Sequence, residues 1–399
     1  MDRSPLFPGT LDLLPFTIFR EALLPTALMR STSLHRRLDI EFNHQSQPIA
    51  FSEWLSMLTL CFAPLAAHLL VGVPEPTVCG KLPLPWQERI CHFNPTSILW
   101  RYFAIADRRA RAKKWDRPDD LGATNAAFWD GKRWDGSVEK MARMRGKATK
   151  EPSYHRVSLF STSAVGTLII TLQGIQAVYD LIVNTTGSVY PGGHPISKVF
   201  FPLAILGLIR LPAAPWLTAE YGYRQRKESE SPGEGYSEDL PLLPRHIYTN
   251  PMEAGSNAPS EQFSPQNSWR GILTRAILMG VLLALIVLTL CFFALDFKSD
   301  TRISLTTFVS QLFYLFFLAC TFAIVSIFIL RKEGEKGNTT IIPCIQSYWY
   351  RAYTYMLFSL ALFFILVSAL ETRRTKCGLY TTVPIDWGQD DLICKTYLV

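Results

Sequence analysis

The chain has 399 residues, of which 48% are apolar and only 18% are charged. Ordinary globular domains carry about 25% charged residues. Here the apolar residues are also gathered into long runs between polar stretches, a pattern that excludes a pair of ordinary soluble domains. The net charge of +7 is modest and does not suggest nucleic acid as a partner. Its placement matters more, because Lys and Arg near the ends of membrane spans set orientation.

The first residues, Met1 to Phe19, do not read as a secretory signal. Asp2 and Arg3 balance each other, and Pro5, Pro8 and Pro15 interrupt the apolar residues, so no long apolar stretch follows a basic start. Alternation of the spans from the basic, cytosolic side makes residues 1–55 an expected extracytosolic segment. A helix needs about 20 apolar residues to cross the hydrocarbon layer. Residues 56–73 form a weak first span containing Pro64 and His68, with a re-entrant helix as the alternative. The spans expected next are Leu159 to Val183 and Val199 to Ala219, within 159–219. Three clear runs follow within 276–370, namely Ala276 to Leu295, Leu305 to Leu330 and Ala352 to Leu370. Since lipid offers the backbone no hydrogen bonds, each span must be a helix. The expected fold is all-α, a polytopic transmembrane bundle of about six spans, with five as the fallback count. It carries a basic, largely helical or irregular cytosolic connection at 74–158, a flexible cytosolic linker at 220–275 and an extracytosolic tail at 371–399.

The orientation rests on Arg224, Arg226, Lys227, Arg270, Arg275, Arg331 and Lys332, which crowd one side; the positive-inside rule makes that side cytosolic. The sequon at Asn184 then falls outside, as a glycosylation site, and Cys377 and Cys394 share the outer tail, where a disulfide can persist. The sequon at Asn338 falls on the opposite side and dissents.

After Asn94 and Pro95, apolar Ile98, Leu99, Tyr102, Phe103, Ile105 and Ala106 recur at helical spacing, and Thr96 or Ser97 is expected to cap the start. Basic residues gather toward its end. This reads as an amphipathic helix lying on anionic lipids of the cytosolic leaflet, with Trp100, Arg101, Tyr102, Arg108, Arg109, Lys113 and Lys114 at the membrane surface. Packing on the bundle is the alternative. Beyond it, Trp-Asp-Gly occurs at Trp129 and again at Trp134. Asp-Gly favours a turn, and the indoles are expected to anchor it. Cys79, Cys91 and His92 lack a fourth zinc ligand, and there is no Cys-x-x-Cys pair. No cofactor is expected. In the second span Ser163, Gly166, Thr167, Ile170, Gln173, Gly174, Ala177 and Asp180 share one face, which suits helix packing in lipid. The competing reading is a polar pathway through Gln173, Gln176 and Asp180.

The string from Trp100 to Arg109, then Trp115, then Phe128 to Gly131, together with Cys377 to Thr382 in the tail, resembles a group of fungal polytopic membrane proteins. The resemblance implies a shared topology and carries no activity. Functionally, the expectation is a multi-pass protein of the endomembrane system or plasma membrane, acting as a non-catalytic accessory or scaffolding component with the bilayer as its partner. The alternatives are a small-solute transporter or channel and a membrane-embedded biosynthetic enzyme.

Overall fold

The computed structural model describes residues 69, 72–79, 83–113, 126–137, 140, 144, 148–150, 161–186, 205, 207–217, 222–223, 263–265, 267–298, 305–330, 339–371, 373–374, 376–378, 380–381 and 391. All of them belong to the unit Glu41–Val399. Segment 1–55 and nearly all of the weak first span at 56–73 lie outside them.

The described part is mostly helical. The three longest apolar runs form helices α4 (Trp269–Lys298), α5 (Leu305–Leu330) and α6 (Tyr348–Glu371). These three are long and apolar enough to cross a membrane, with mean hydropathy of 2.5, 2.6 and 1.5 over their best stretches, Trp269–Cys291, Phe308–Ile329 and Tyr348–Val367. They pack up and down in sequence order. Phe293 of α4 meets Phe308 of α5 with ring centroids 6.1 Å apart, and Val309 of α5 clusters with Phe364 of α6. Their outward faces keep Ile272, Ile277, Leu283, Leu362, Phe363 and Leu366 exposed, as helices facing lipid would.

Helix α3 (Thr162–Thr186) falls where the second span is expected. Its 25 residues reach about 37 Å at 1.5 Å each, but it is not among the three helices that combine length with high hydropathy. The third expected span is not one continuous helix to Ala219. Helical backbone ends at Leu208, turns occupy Ile209 to Ala213, and a 3-10 turn covers Ala214–Trp216. Pro212 and Pro215 are the cause, because each removes an amide donor and clashes with the preceding turn. The described residues thus hold three helices suited to cross a membrane rather than a six-span bundle.

The described residues of the connection at 74–158 include short strands as well as helices. Strand β1 (Pro76–Val78) runs parallel to β2 (Ala127–Trp129), and β2 pairs antiparallel with β3 (Trp134–Asp135). The turn between β2 and β3 closes through the Asp130 N–H donating to the Arg133 carbonyl at 3.0 Å. Gly131 sits there at φ 90°, a conformation glycine adopts without a Cβ penalty. Elsewhere β4 (Ala148–Lys150) pairs with β5 (Gly222–Tyr223), and β6 (Arg373–Arg374) with β7 (Tyr380–Thr381).

Among the described residues, two helices lie between β1 and β2. Helix α1 is Trp86–Ile90, and a 3-10 turn at Cys91–Phe93 leads to α2, Pro95–Arg111. The N-cap of α2 is Asn94 rather than Thr96 or Ser97, its Oδ1 accepting from the Thr96 N–H at 2.9 Å, because Pro95 occupies the first helical position, where a missing N–H costs nothing. Arg108, Arg109 and Arg111 in the last turn suit the negative end of the helix dipole. The chain leaves the helix at Ala112, which bridges Phe263, while the Ser264 N–H donates to the Arg111 carbonyl at 2.8 Å.

The core is organised around α2. Leu99, Trp100 and Phe103 join the largest buried cluster with Leu278, Leu282, Phe317 and Tyr353 of α4, α5 and α6. The other side of the helix, Ile98, Tyr102 and Ile105, packs on Ala213, Trp216 and Leu217, with Leu69 and Val73 against them. Gly72 lies so close that an added Cβ would stand 2.6 Å from Ile98 Cγ2 and 2.8 Å from the Tyr102 hydroxyl. Both neighbours are buried and cannot swing away. Gly72→Ala is therefore expected to destabilise the protein by about 1–3 kcal/mol, read as a lower Tm in detergent; an unchanged Tm would contradict this packing.

Candidate functional site

The polar centre of the molecule is α2 and what it touches. At its first turn, side chains from three elements converge. The Asn94 amide Nδ2 donates to Thr354 Oγ1 at 2.8 Å. The Thr96 hydroxyl lies 2.8 Å from Thr321 Oγ1 and 2.9 Å from the Tyr353 hydroxyl. Ser97 donates to the Cys91 carbonyl at 2.8 Å and shares a 2.6 Å contact with the Tyr350 hydroxyl. Asn94, Thr96, Thr321, Thr354 and Tyr350 are wholly buried. In a low-dielectric site each of these groups needs a partner, and the protein itself supplies it.

Further along α2 the charges are buried as well. Asp107 pairs with Arg111 at 2.9 Å and with Arg275 of α4 at 3.4 Å. Arg111 also donates to the Ser264 carbonyl at 3.2 Å. Arg101 donates to the Gly72 carbonyl at 2.5 Å. Burial lowers the Arg101 pKa to about 10; Tyr102 opposes this and the nearby Arg210 cation adds to it. Arg101 remains a cation at neutral pH. Arg210 reaches Thr167 Oγ1 of α3 at 2.8 Å and the Tyr102 hydroxyl at 3.2 Å, with its guanidinium over the Tyr102 ring at 5.7 Å. Arg109 stacks over Trp216 at 5.4 Å. At the near end, Glu88 of α1 is paired with Arg351 of α6.

These positions correct the surface-helix expectation. Trp100, Arg101, Tyr102, Arg108 and Arg109 are buried, none more than 7% exposed, so they do not lie on a leaflet. Protein covers both faces of the helix, which removes the lipid contact that its amphipathic pattern suggested. Lys113 is exposed, and Lys114 lies outside the described residues. Gln173, Gln176 and Asp180 fall on α3, but their side chains, like that of Asn184, lie outside the described residues. What is described of that helix is a buried face at Ile170 and Gly174, joined through Thr167 to Arg210, and an exposed apolar face at Leu168, Leu172, Ile175 and Tyr179. Cys377 is disulfide-bonded, and Cys394 lies outside the described residues. Cys79, Cys91, Cys291, Cys320 and Cys344 are thiols. Asn338 is outside as well.

The Trp-Asp-Gly pair forms an anchored turn. Trp129 and Trp134 pack at a 54° tilt with ring centroids 5.1 Å apart, and Trp134 meets the His92 ring edge-on at 4.3 Å. Gln346 donates to the Lys132 carbonyl at 2.8 Å. A Cβ on Gly136 would stand 2.8 Å from Thr340 Oγ1, so the turn sits tightly on the loop before α6. His92 is buried, and its Nε2 has no hydrogen-bond partner among the described residues. Burial, with the Arg101 charge adding to it, lowers the His92 pKa to about 3, so the ring is neutral at physiological pH. Among the described residues no three His, Cys, Asp or Glu side chains converge as a metal site.

Cys91 and Cys344 are the buried nucleophile candidates. Burial raises the Cys91 thiol to about 11, and Thr354 opposes the rise. Burial raises Cys344 to about 12, with Cys91 adding to it. Reactivity requires thiolate, so alkylation of the folded protein at pH 8 is expected to leave both unmodified until the chain is unfolded. Modification of either in the folded protein would contradict the packing.

Sequence reasoning missed Arg210, Thr321, Thr354 and Tyr353 as partners of α2. Only Arg210 carried a signal, as a cation inside an apolar run bracketed by prolines. No known family model, curated protein or solved structure matches the chain.

Proposed function

We propose that the chain is an integral membrane protein of the endomembrane system or plasma membrane, acting as a non-catalytic accessory or scaffolding component. The observation that carries this reading is the use made of the buried polar groups. The hydroxyls, the Asn94 amide and the Asp107 and Glu88 ion pairs all join one segment to another. The buried thiols and His92 are tuned away from acid–base or nucleophilic work at neutral pH, whereas catalytic groups need pKa values matched to their task. Three helices suited to span a bilayer support residence in the membrane. The Lys and Arg bias supports placing the loop before α6 and the open end of α2 in the cytosol.

Two measurements on cells test it. Alkaline carbonate washing is expected to leave the chain in the membrane pellet; release would contradict residence. An untargeted metabolite comparison between cells with and without the chain is expected to show no single accumulating compound. A compound that builds up on deletion and clears on re-expression would replace the scaffold with an enzyme or transporter.

A further inference from the structure

The segment leading into α2 approaches the membrane helices in an unexpected place. Trp86 opens α1 and is 64% exposed, a high value for an indole in a well-packed region. It is not loosely held, because the same short helix is pinned from its inner side, where buried Glu88 pairs with Arg351 of α6. The Trp86 ring sits 6.3 Å from that of Tyr355. Tyr355 lies seven residues past Tyr348, about 10 Å along the helix axis at 1.5 Å per residue. It is therefore well inside the apolar stretch Tyr348–Val367, and its neighbour Met356 is exposed. Whatever medium bathes Tyr355 and Met356 bathes Trp86.

The same stretch of α6 marks where that medium changes. Tyr348 is 86% exposed and Trp349 52%, and Arg351 lies over the Tyr348 ring at 5.5 Å. Exposed Trp and Tyr beside a cation at the first turn of a spanning helix is the pattern of a headgroup-level aromatic belt. Trp86 lies deeper than that belt by the Tyr348-to-Tyr355 interval. Thr96, at the first turn of α2, is held at a similar depth by Tyr353 and Thr321. This accounts for the complete use of protein partners by Asn94, Thr96 and Ser97, since water is scarce below the headgroups.

We propose that α1 is an interfacial element inserted into one leaflet, with Trp86 among the upper acyl chains and glycerol groups of the phospholipid. The 74–158 connection is then not wholly aqueous, and α2 enters the bundle from a membrane-dipped start. The partner is phospholipid of the leaflet that surrounds the first turns of α6. This inference rests on the proposal that the chain resides in a bilayer.

The full chain, reconstituted in phosphatidylcholine vesicles with or without bromine on the upper acyl chains, provides the test. Tryptophan emission of the unsubstituted protein is compared with that of W86F and W349F, each checked for an unchanged Tm. The emission component lost in W86F is expected to be blue-shifted, more than halved by brominated lipid, and insensitive to acrylamide in the aqueous phase, while that lost in W349F, at headgroup level, is expected to respond to both quenchers. If the Trp349 component is quenched by bromine while the Trp86 component responds only to acrylamide, the insertion is wrong and membrane residence stands. If neither component responds to bromine, both proposals fall.

Discussion

Asp107→Ala is expected to cost about 3–5 kcal/mol, the penalty for removing one partner of a buried ion pair and stranding the other. Two cations depend on this carboxylate: Arg111 on the same helix and Arg275 on α4, at 2.9 and 3.4 Å. The Asp107 side chain is 8% exposed and that of Arg111 5%, so water does not replace the lost partner. The change should also loosen α2 from α4, because Asp107 is the described carboxylate that joins them. The expected result is a large fall in Tm in detergent, with partial recovery in Asp107→Glu. A loss below about 1 kcal/mol, the size of an exposed pair, would mean that α2 is solvated rather than buried.

Acid sensitivity through His92 is the second large effect. Burial holds its folded pKa at about 3, against 6.5 for an ordinary histidine. Between those values the unfolded chain binds a proton that the folded chain does not. Stability from this group is therefore fully present above pH 6.5 and falls as pH drops toward 3, by about 1.4 kcal/mol per pH unit. His92→Phe keeps an aromatic ring against Trp134 and removes the titration. It is expected to match the parent near neutral pH and to show a shallower loss between pH 6 and pH 4. An identical slope in both proteins would assign the acid loss to other groups.

The sequence reveals α4, α5 and α6 because uninterrupted apolar runs of this length have few other uses. Their boundaries shift where the helices run on past the purely apolar residues. Thus α4 begins at Trp269 rather than Ala276, and the added turns carry Arg270, Thr274 and Arg275. Helix α2 is legible too, through Pro95 and its spacing, although its cap is Asn94 rather than Thr96 or Ser97; its surroundings are not legible. Amphipathicity seen from one helix cannot tell lipid on one face from protein on both. Arg101, Arg108, Arg109 and Arg111 look like a solvated stripe until Asp107, Gly72 and Trp216 are seen against them. The hydroxyl network was invisible for a different reason. Thr96 and Thr321 are 225 residues apart, and Asn94 and Thr354 are 260 apart, so no local pattern links them. The break in the third expected span comes from Pro212 and Pro215, which interrupt the helix within the last two turns of a run that apolarity alone carries to Ala219.

That α2 is docked among three long apolar helices is the claim on which the rest depends, and a cross-link between Thr96 and Thr321 tests it most directly. Their hydroxyl oxygens are 2.8 Å apart, so cysteines at both positions place two sulfurs within bonding reach. T96C/T321C, with a protease site introduced near Pro232, is oxidised in carbonate-washed membranes, cleaved and run without reductant. The two fragments are expected to stay joined until reductant is added, while T96C or T321C alone gives separate fragments. Separate fragments from the double variant, in membranes that retain the chain, would show that α2 lies elsewhere.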